Sequence, residues 1–420
     1  MDKVYDCMLM EFGKMPLCIF PAELHIFTRC QNRVQSSEII KQNHYKTIKK
    51  IKNMQININN EFIKAVTIGS SMAGVNKTLP ILDHVKITFK QNKIIVSSFD
   101  TNNAITKVYE DKTNQNENNT TFCVNKTDFL SVLSALVNEV VDIIINETNV
   151  QIKHSNGVIT LPVANAEQYP TPNVDKELKS FTVSSEEILD ILGEARNFVG
   201  NDEIRPVMTG VRLLFEDNTM TVSATDAHVL YNNKVANSMT EDKSECIIPS
   251  GIIPTLMNIL KDTDNATINI GQSNVIVKTD DCKVVIRAIE GRYPNVMAVI
   301  PKEHSTTVNI SKKDFVKTIN RIMITASKAT AMMKFDIGNG KLSVEAEDLD
   351  FAKSSKEEIQ ADIQGKDIVI GLNGRMLKTC IDAIESDNIT LELSAPNRAV
   401  VLRDSANSEK TVLVMPINIG

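Results

Sequence analysis

Asp226 and His228 stand two residues apart where an alternating stretch ends, so on an extended chain both would point the same way, as a general acid and base pair would require. Asp100 and Asp348 close matching stretches elsewhere without a histidine, and this recurrence reads the aspartate as a turn residue instead. The chain lacks G-x-x-x-x-G-K-[ST], G-x-G-x-x-G, H-E-x-x-H and G-x-S-x-G, so nucleotide hydrolysis, dinucleotide chemistry, zinc proteolysis and serine hydrolysis are all without their usual equipment. The seven cysteines, Cys7, Cys18, Cys30, Cys123, Cys246, Cys282 and Cys380, form no CxxC pair and no recurrent spacing, which argues against a disulfide framework or zinc site and for a reducing compartment. No catalytic residue, cofactor or metal is therefore expected.

The elements that carry those aspartates are hairpins. VKITFKQNKIIVSSFD ends at Asp100, VRLLFEDNTMTVSATD at Asp226 and MKFDIGNGKLSVEAED at Asp348, each an alternating strand, a turn rich in Asn, Asp or Gly, and a second alternating strand. A second marker follows each hairpin: Tyr169-Pro170, Tyr293-Pro294 and Met415-Pro416, at 70, 68 and 68 residues from the aspartate to the proline. Two markers in one register define three copies of one unit. Each copy opens on a capped amphipathic pattern (56–66, 181–195, 308–322) and is bisected by another (124–136, 248–260, 371–384), with strands after each. The expected unit is helix, strands, helix, strands, giving an α+β fold with domains at 54–178, 179–303 and 304–420.

Residues 1–53 lie outside the repeat. They end in the basic run KTIKKIKN and precede Met54, where the first repeat begins. They read as a disordered tail or an upstream reading-frame artefact, with a basic arm that touches nucleic acid or targets the chain as the alternative. Composition is ordinary, with 42% apolar residues, no Trp and a formal net charge of −6. No window of about 18 uninterrupted apolar residues suggests a membrane-spanning helix.

KTLPILDHVKITF, ATDAHVL, EGRYPNVMAVIP and TVLVMPI, in that order and at these spacings, resemble the bacterial sliding clamp, the β subunit of the DNA polymerase III holoenzyme. The resemblance spans 54–420. It implies three repeated DNA-clamp domains, each of two helices packed against antiparallel sheets, and a cytoplasmic homodimer closed head to tail around duplex DNA. It also implies a processivity factor without catalysis of its own, tethering the replicative polymerase catalytic subunit, the clamp loader and repair and translesion polymerases. A net negative charge is tolerable there, because topology rather than phosphate contacts would hold the DNA. A scaffold that binds only proteins is the rival reading, and it need not close into a ring.

Carried over from that family, a groove for short apolar and aromatic peptides would use Met208, Thr225, Ala227, His228, Val229, Leu230, Pro294 and Val299. Asn397, Ala399, Leu413, Val414, Met415, Pro416 and Ile417 would complete it from the third repeat. The family usually has Gly-His-Arg-Leu after Thr-Asp, so Ala227 and Val229 depart from it, and the loss of the Arg removes a charged rim element. For DNA, Lys312, Lys313, Lys317 and Arg321, with Arg375 and Lys378, give the third repeat a basic helix face. Lys64, Asn76, Lys77, Lys126, Arg196 and Arg205 are lesser candidates, the second repeat's first helix being net acidic. A solvated charge stripe would look the same. The dimer contact is expected where Val158, Ile159 and Thr160 meet the region of Ile324.

Overall fold

Five of the six α-helices among the described residues begin where an Asn or Ser turns its side-chain oxygen onto backbone N–H groups that have no carbonyl partner in the first turn. Asn59 caps α1 (Asn60–Gly69), Asn125 caps α2 (Lys126–Ala135) and Ser184 caps α3 (Ser185–Ala195). Ser311 caps α5 (Lys312–Ile322) and Asn373 caps α6 (Gly374–Asp382). The fourth, α4 (Ile253–Leu260), starts with a proline in its first turn instead. This computed structural model describes residues 52–111, 116–236, 243–338 and 340–419, and expectations for residues 1–51 lie outside them.

The three repeats share one element order: strand, helix, four strands, helix, three strands. The third repeat adds a short strand, Asp362–Gly365. The opening helix signals thus differ from expectation, since each is preceded by a strand: Lys52–Asn57, Lys179–Ser184 and Thr306–Ser311. Alternation explains the strand. Met54 and Ile56, Phe181 and Val183, and Val308 and Ile310 are buried two residues apart, which is the period of a sheet with one face on the core.

The strand pairs resolved among the described residues are antiparallel, and pairing runs across the repeats. A twelve-stranded sheet joins the first repeat to the second by pairing Ala104–Glu110 with Cys282–Arg287. A nine-stranded sheet joins the second to the third by pairing Val229–Ala236 with Lys410–Val414. At both junctions the third strand after the first helix of one repeat meets the last strand of the next. Helices press apolar faces onto these sheets: Phe62 and Phe129 into the first repeat's core, Ile188, Leu192, Phe315 and Leu377 into a core shared by the second and third.

Candidate partner groove and basic helix faces

The turn after the second repeat's hairpin fixes how the second junction is approached. Asp226 Oδ1 accepts from the backbone N–H groups of His228 and Val229, both at 2.7 Å, and the Thr225 hydroxyl donates to the Val229 carbonyl at 2.6 Å. Asp100 does the same for Asn102 and Asn103 in the first repeat. The carboxylate beside His228 is therefore spent on a turn that the first two repeats share, while Asp348 of the third ends its strand without capping the turn that follows. The turn delivers the His228 carbonyl to the Met415 N–H, at 2.7 Å across the junction.

Strand alternation then sorts the residues around it. Leu230 lies opposite Leu413 in the cross-junction ladder, and both are buried on the face away from the main core. They join Ile247, Tyr293, Val296, Ala399 and Val401 in a small apolar cluster, with Val207, Ile289, Ile300 and Met415 packed against it. Met297 and Val299 stand exposed beside it, at 63% and 52%. A cleft of about 420 Å³ lined by Glu245, Ile247, Ser273, Ile289 and Gly291 adjoins the cluster through Ile247 and Ile289. Arg212 lies over the Tyr293 ring and pairs with Glu245 at 3.1 Å.

Two residues expected in the groove face the other way, and the rest differ in exposure. Val229 and Val414 face the opposite way, into the main core, so Val229 at 3% exposure is not a rim residue. Thr225 is buried in its turn, Ala227, His228 and Asn397 are exposed, and Met208, Pro294, Pro416 and Ile417 are half-buried. The tail is stitched down at Ile417, whose N–H donates to the Gly371 carbonyl. A Cβ on Gly371 would lie 2.7 Å from the Ile417 carbonyl, so the close approach requires glycine. The residues that spacing missed, Val207, Ile247, Tyr293, Val296 and Val401, come from other strands and turns of the same two repeats.

The basic residues are mostly engaged within the chain. Arg321 makes a two-pronged contact with Glu357, at 2.7 and 2.5 Å, which raises its pKa and lowers that of Glu357. Lys378 pairs with Asp382, Lys317 with Asp314, Lys64 with Asp262 and Arg205 with Asp202. Lys312 donates to the Ile384 carbonyl, Arg375 to the Lys328 carbonyl at 2.8 Å, and Arg196 approaches the Met257 sulfur. Lys126 donates to the Ala73 carbonyl, and burial lowers its pKa. Asn76 caps the Thr78 and Leu79 N–H groups, while Lys77 and Lys313 are exposed and form no ion pair among the described residues. On α5, Phe315, Thr318, Ile319 and Ile322 are buried and Lys313, Lys317 and Arg321 lie on the exposed face.

The four described cysteines are buried, and burial pushes the thiols of Cys123, Cys246 and Cys282 up to about 12, with Cys380 also well above its ordinary value. Protonated thiols are poor nucleophiles and metal ligands. Among the described residues no group of three or more His, Cys, Asp or Glu is placed to hold a metal, and no helix is long and apolar enough to cross a membrane.

Three family profiles match in tandem: the DNA polymerase III beta subunit N-terminal domain over residues 54–175, its central domain over 182–295 and its C-terminal domain over 297–418. The chain belongs to the DNA polymerase III beta subunit family. A beta sliding clamp from Staphylococcus epidermidis is 24% identical over 377 residues, covering 86% of this chain and 96% of that protein. One from Staphylococcus aureus is 24% identical over 351 residues, covering 81% and 92%. The Pseudomonas aeruginosa sliding clamp bound to griselimycin has the same fold, with a TM-score of 0.82 at 18% identity over 88% of this chain and 100% of that one. The Bacillus subtilis sliding clamp gives 0.82 at 18% identity over 88% and 100%. Three clamp domains of mixed α+β structure, in a sliding-clamp chain, are thus the frame in which the groove and the helix faces are read.

Proposed function

We propose that the protein is a processivity factor: two copies close head to tail into a ring that encircles duplex DNA, slides on it and tethers polymerases and their accessory proteins without catalysing a reaction. The observation that carries the ring is the repeated junction. At both internal junctions the third strand after the first helix of one repeat pairs with the last strand of the next. The matching third strand of the third repeat, Lys353–Ile359, pairs on one side only. The last strand of the first repeat, Gly157–Ala164, pairs with Asn149–His154 along its length but with its other neighbour only at Val163 and Ala164.

A second copy supplies the missing partner to each edge, and the head-to-tail contact closes instead of extending into a filament. Closure also removes two open sheet edges that would otherwise invite aggregation. Val158 and Thr160 lie on the outward face of the first edge. Ile324 is exposed beside the second, next to Thr325, whose hydroxyl touches Ser355. Most of the cations expected to face DNA are paired or hydrogen-bonded within the chain, which fits a sleeve more than a grip on phosphates. The groove at the second junction, with an adaptable wall of Leu, Val and Met, suits short apolar and aromatic segments of the polymerase catalytic subunit, the clamp loader and repair or translesion polymerases.

Sedimentation equilibrium at micromolar concentration tests the closure. A mass twice the 46.6 kDa of the chain is expected. Placing proline at Lys356 should shift it toward the monomer, because proline removes a strand N–H and is tolerated poorly inside a sheet. A parent protein that sediments as a monomer would overturn the ring.

A further inference from the structure

Both internal junctions carry ion pairs in addition to their strand pairs, and the two differ in kind. Between the first and second repeats, Lys64 meets Asp262 and Lys107 meets Asp281, each at 2.5 Å, with both aspartates about half exposed. Such pairs are screened by water and salt. Between the second and third repeats the cation is Lys410, 1% exposed, whose ammonium lies 3.0 Å from Glu194, 2.6 Å from Glu385 and 3.8 Å from Asp404. It also donates to the Ala383 carbonyl at 3.2 Å. Glu194 belongs to the second repeat, at the end of α3. Lys410, Glu385 and Asp404 belong to the third.

Each member would be costly alone. A carboxylate in the last turn of a helix faces the negative end of the macrodipole, and a buried ammonium loses its hydration. Together they satisfy one another: Tyr231 donates to the second Glu194 oxygen at 2.7 Å, Asn233 donates to the Tyr231 hydroxyl at 3.2 Å, and Asp404 accepts from the N–H groups of Glu385, Ser386 and Ala406. Tyr231 and Lys410 lie on the two strands that pair across the junction, and alternation turns them to the face opposite Leu230 and Leu413.

We propose that Glu194 and Lys410 form a tie behind the sheet that fixes the angle between the second and third repeats, and so holds the two walls of the groove at binding width. Both are positioning residues, and neither touches the groove. The groove half of this inference rests on the partner-binding reading above; the tie itself does not. With Lys410 buried and Glu194 only about a quarter exposed, this tie is screened less by salt than the pairs at the first junction, whose aspartates are about half exposed.

Glu194→Gln breaks only the leg between repeats, because Lys410 keeps Glu385 and Asp404 and the Tyr231 hydroxyl keeps an acceptor. Glu385→Gln removes a partner within the third repeat and serves as the control. Two readouts are taken on the intact dimer: hydrogen–deuterium exchange, and fluorescence polarisation with a labelled peptide from the same organism's replicative polymerase. Glu194→Gln should speed exchange in 229–236 and 410–414 about tenfold, leave 104–110 unchanged and weaken the peptide about tenfold by loss of preorganisation. Glu385→Gln should do neither. Unchanged exchange in Glu194→Gln, or equal effects of the two variants, would overturn the tie. Faster exchange with unchanged affinity would overturn its role in the groove. A parent protein that does not bind the peptide would sink the partner-binding reading and with it the groove half, while exchange would still decide the tie.

Discussion

Ala227 sits at φ +78° and Thr101, one residue past the turn aspartate of the first repeat as Ala227 is in the second, at φ +90°. This is the left-handed region, where a Cβ crowds the following carbonyl at a cost of roughly 1–2 kcal/mol. Glycine removes the crowding but gains unfolded-state freedom, which offsets roughly 0.5–1 kcal/mol of it. The turn's hydrogen bonds come from Thr225, Asp226 and the backbone, so Ala227→Gly keeps every one. The net effect is a stabilisation of about 0.5–1 kcal/mol, a melting rise of about 2 °C by scanning calorimetry. Thr101→Gly should gain at least as much, because a β-branched residue is the poorer occupant of this region. Gly365, at φ +113°, is the mirror control: a Cβ there would lie 2.0 Å from the Ser305 carbonyl, so Gly365→Ala must destabilise. A fall in melting temperature for Ala227→Gly would show that the alanine methyl makes a contact worth more than the strain, and the reasoning would fail.

Three other outcomes are expected. Removing Met415–Gly420 takes away one wall of the groove along with the Met415–His228 and Ile417–Gly371 stitches. Peptide affinity should fall more than tenfold with dimer mass unchanged, and undiminished binding would put the site elsewhere. Val229→Arg, which restores the residue usual in the resembling family, buries an unpaired charge here and should cost about 3 kcal/mol or more; a urea midpoint equal to the parent's would return Val229 to the rim. Burial alone would raise the Asp404 carboxyl, but hydrogen bonds from the Glu385, Ala406 and Ser386 backbone outweigh it and hold the pKa below its ordinary 3.8. A carboxylate held low in the folded state stabilises the fold above its unfolded pKa and loses that stability as pH falls through the folded one. Asp404→Asn should therefore flatten the acid limb of the stability profile below about pH 4, and an unchanged limb would contradict the assignment.

The repeat was legible because two rare markers, the turn aspartate and the late proline, keep one register through all three copies. The opening strands were not, because six extended residues run straight into an Asn or Ser cap, and the apolar spacing across that seam can be read as helical. Carrying the groove over from the resembling family brought in Val229 and Val414, which alternation turns to the core. Period-2 parity applied to Leu230 and Leu413 would have separated them. Ile247 and Val401 reach the same patch from other strands and Tyr293 from a loop, and no local pattern announces that. Nor does one announce the tie between Glu194 and Lys410, since 216 residues separate them and only the cross-junction register brings them together.

Retention on circular DNA bears most directly on the claim that this chain closes around duplex. The protein is loaded onto a nicked circle with its clamp loader, freed of unbound protein by gel filtration at high salt, and followed before and after the circle is cut once. A topological ring stays with the circle through salt that would strip phosphate contacts and leaves as soon as the DNA has ends. Loss from the intact circle at high salt, or equal retention on circular and linear DNA, would contradict it.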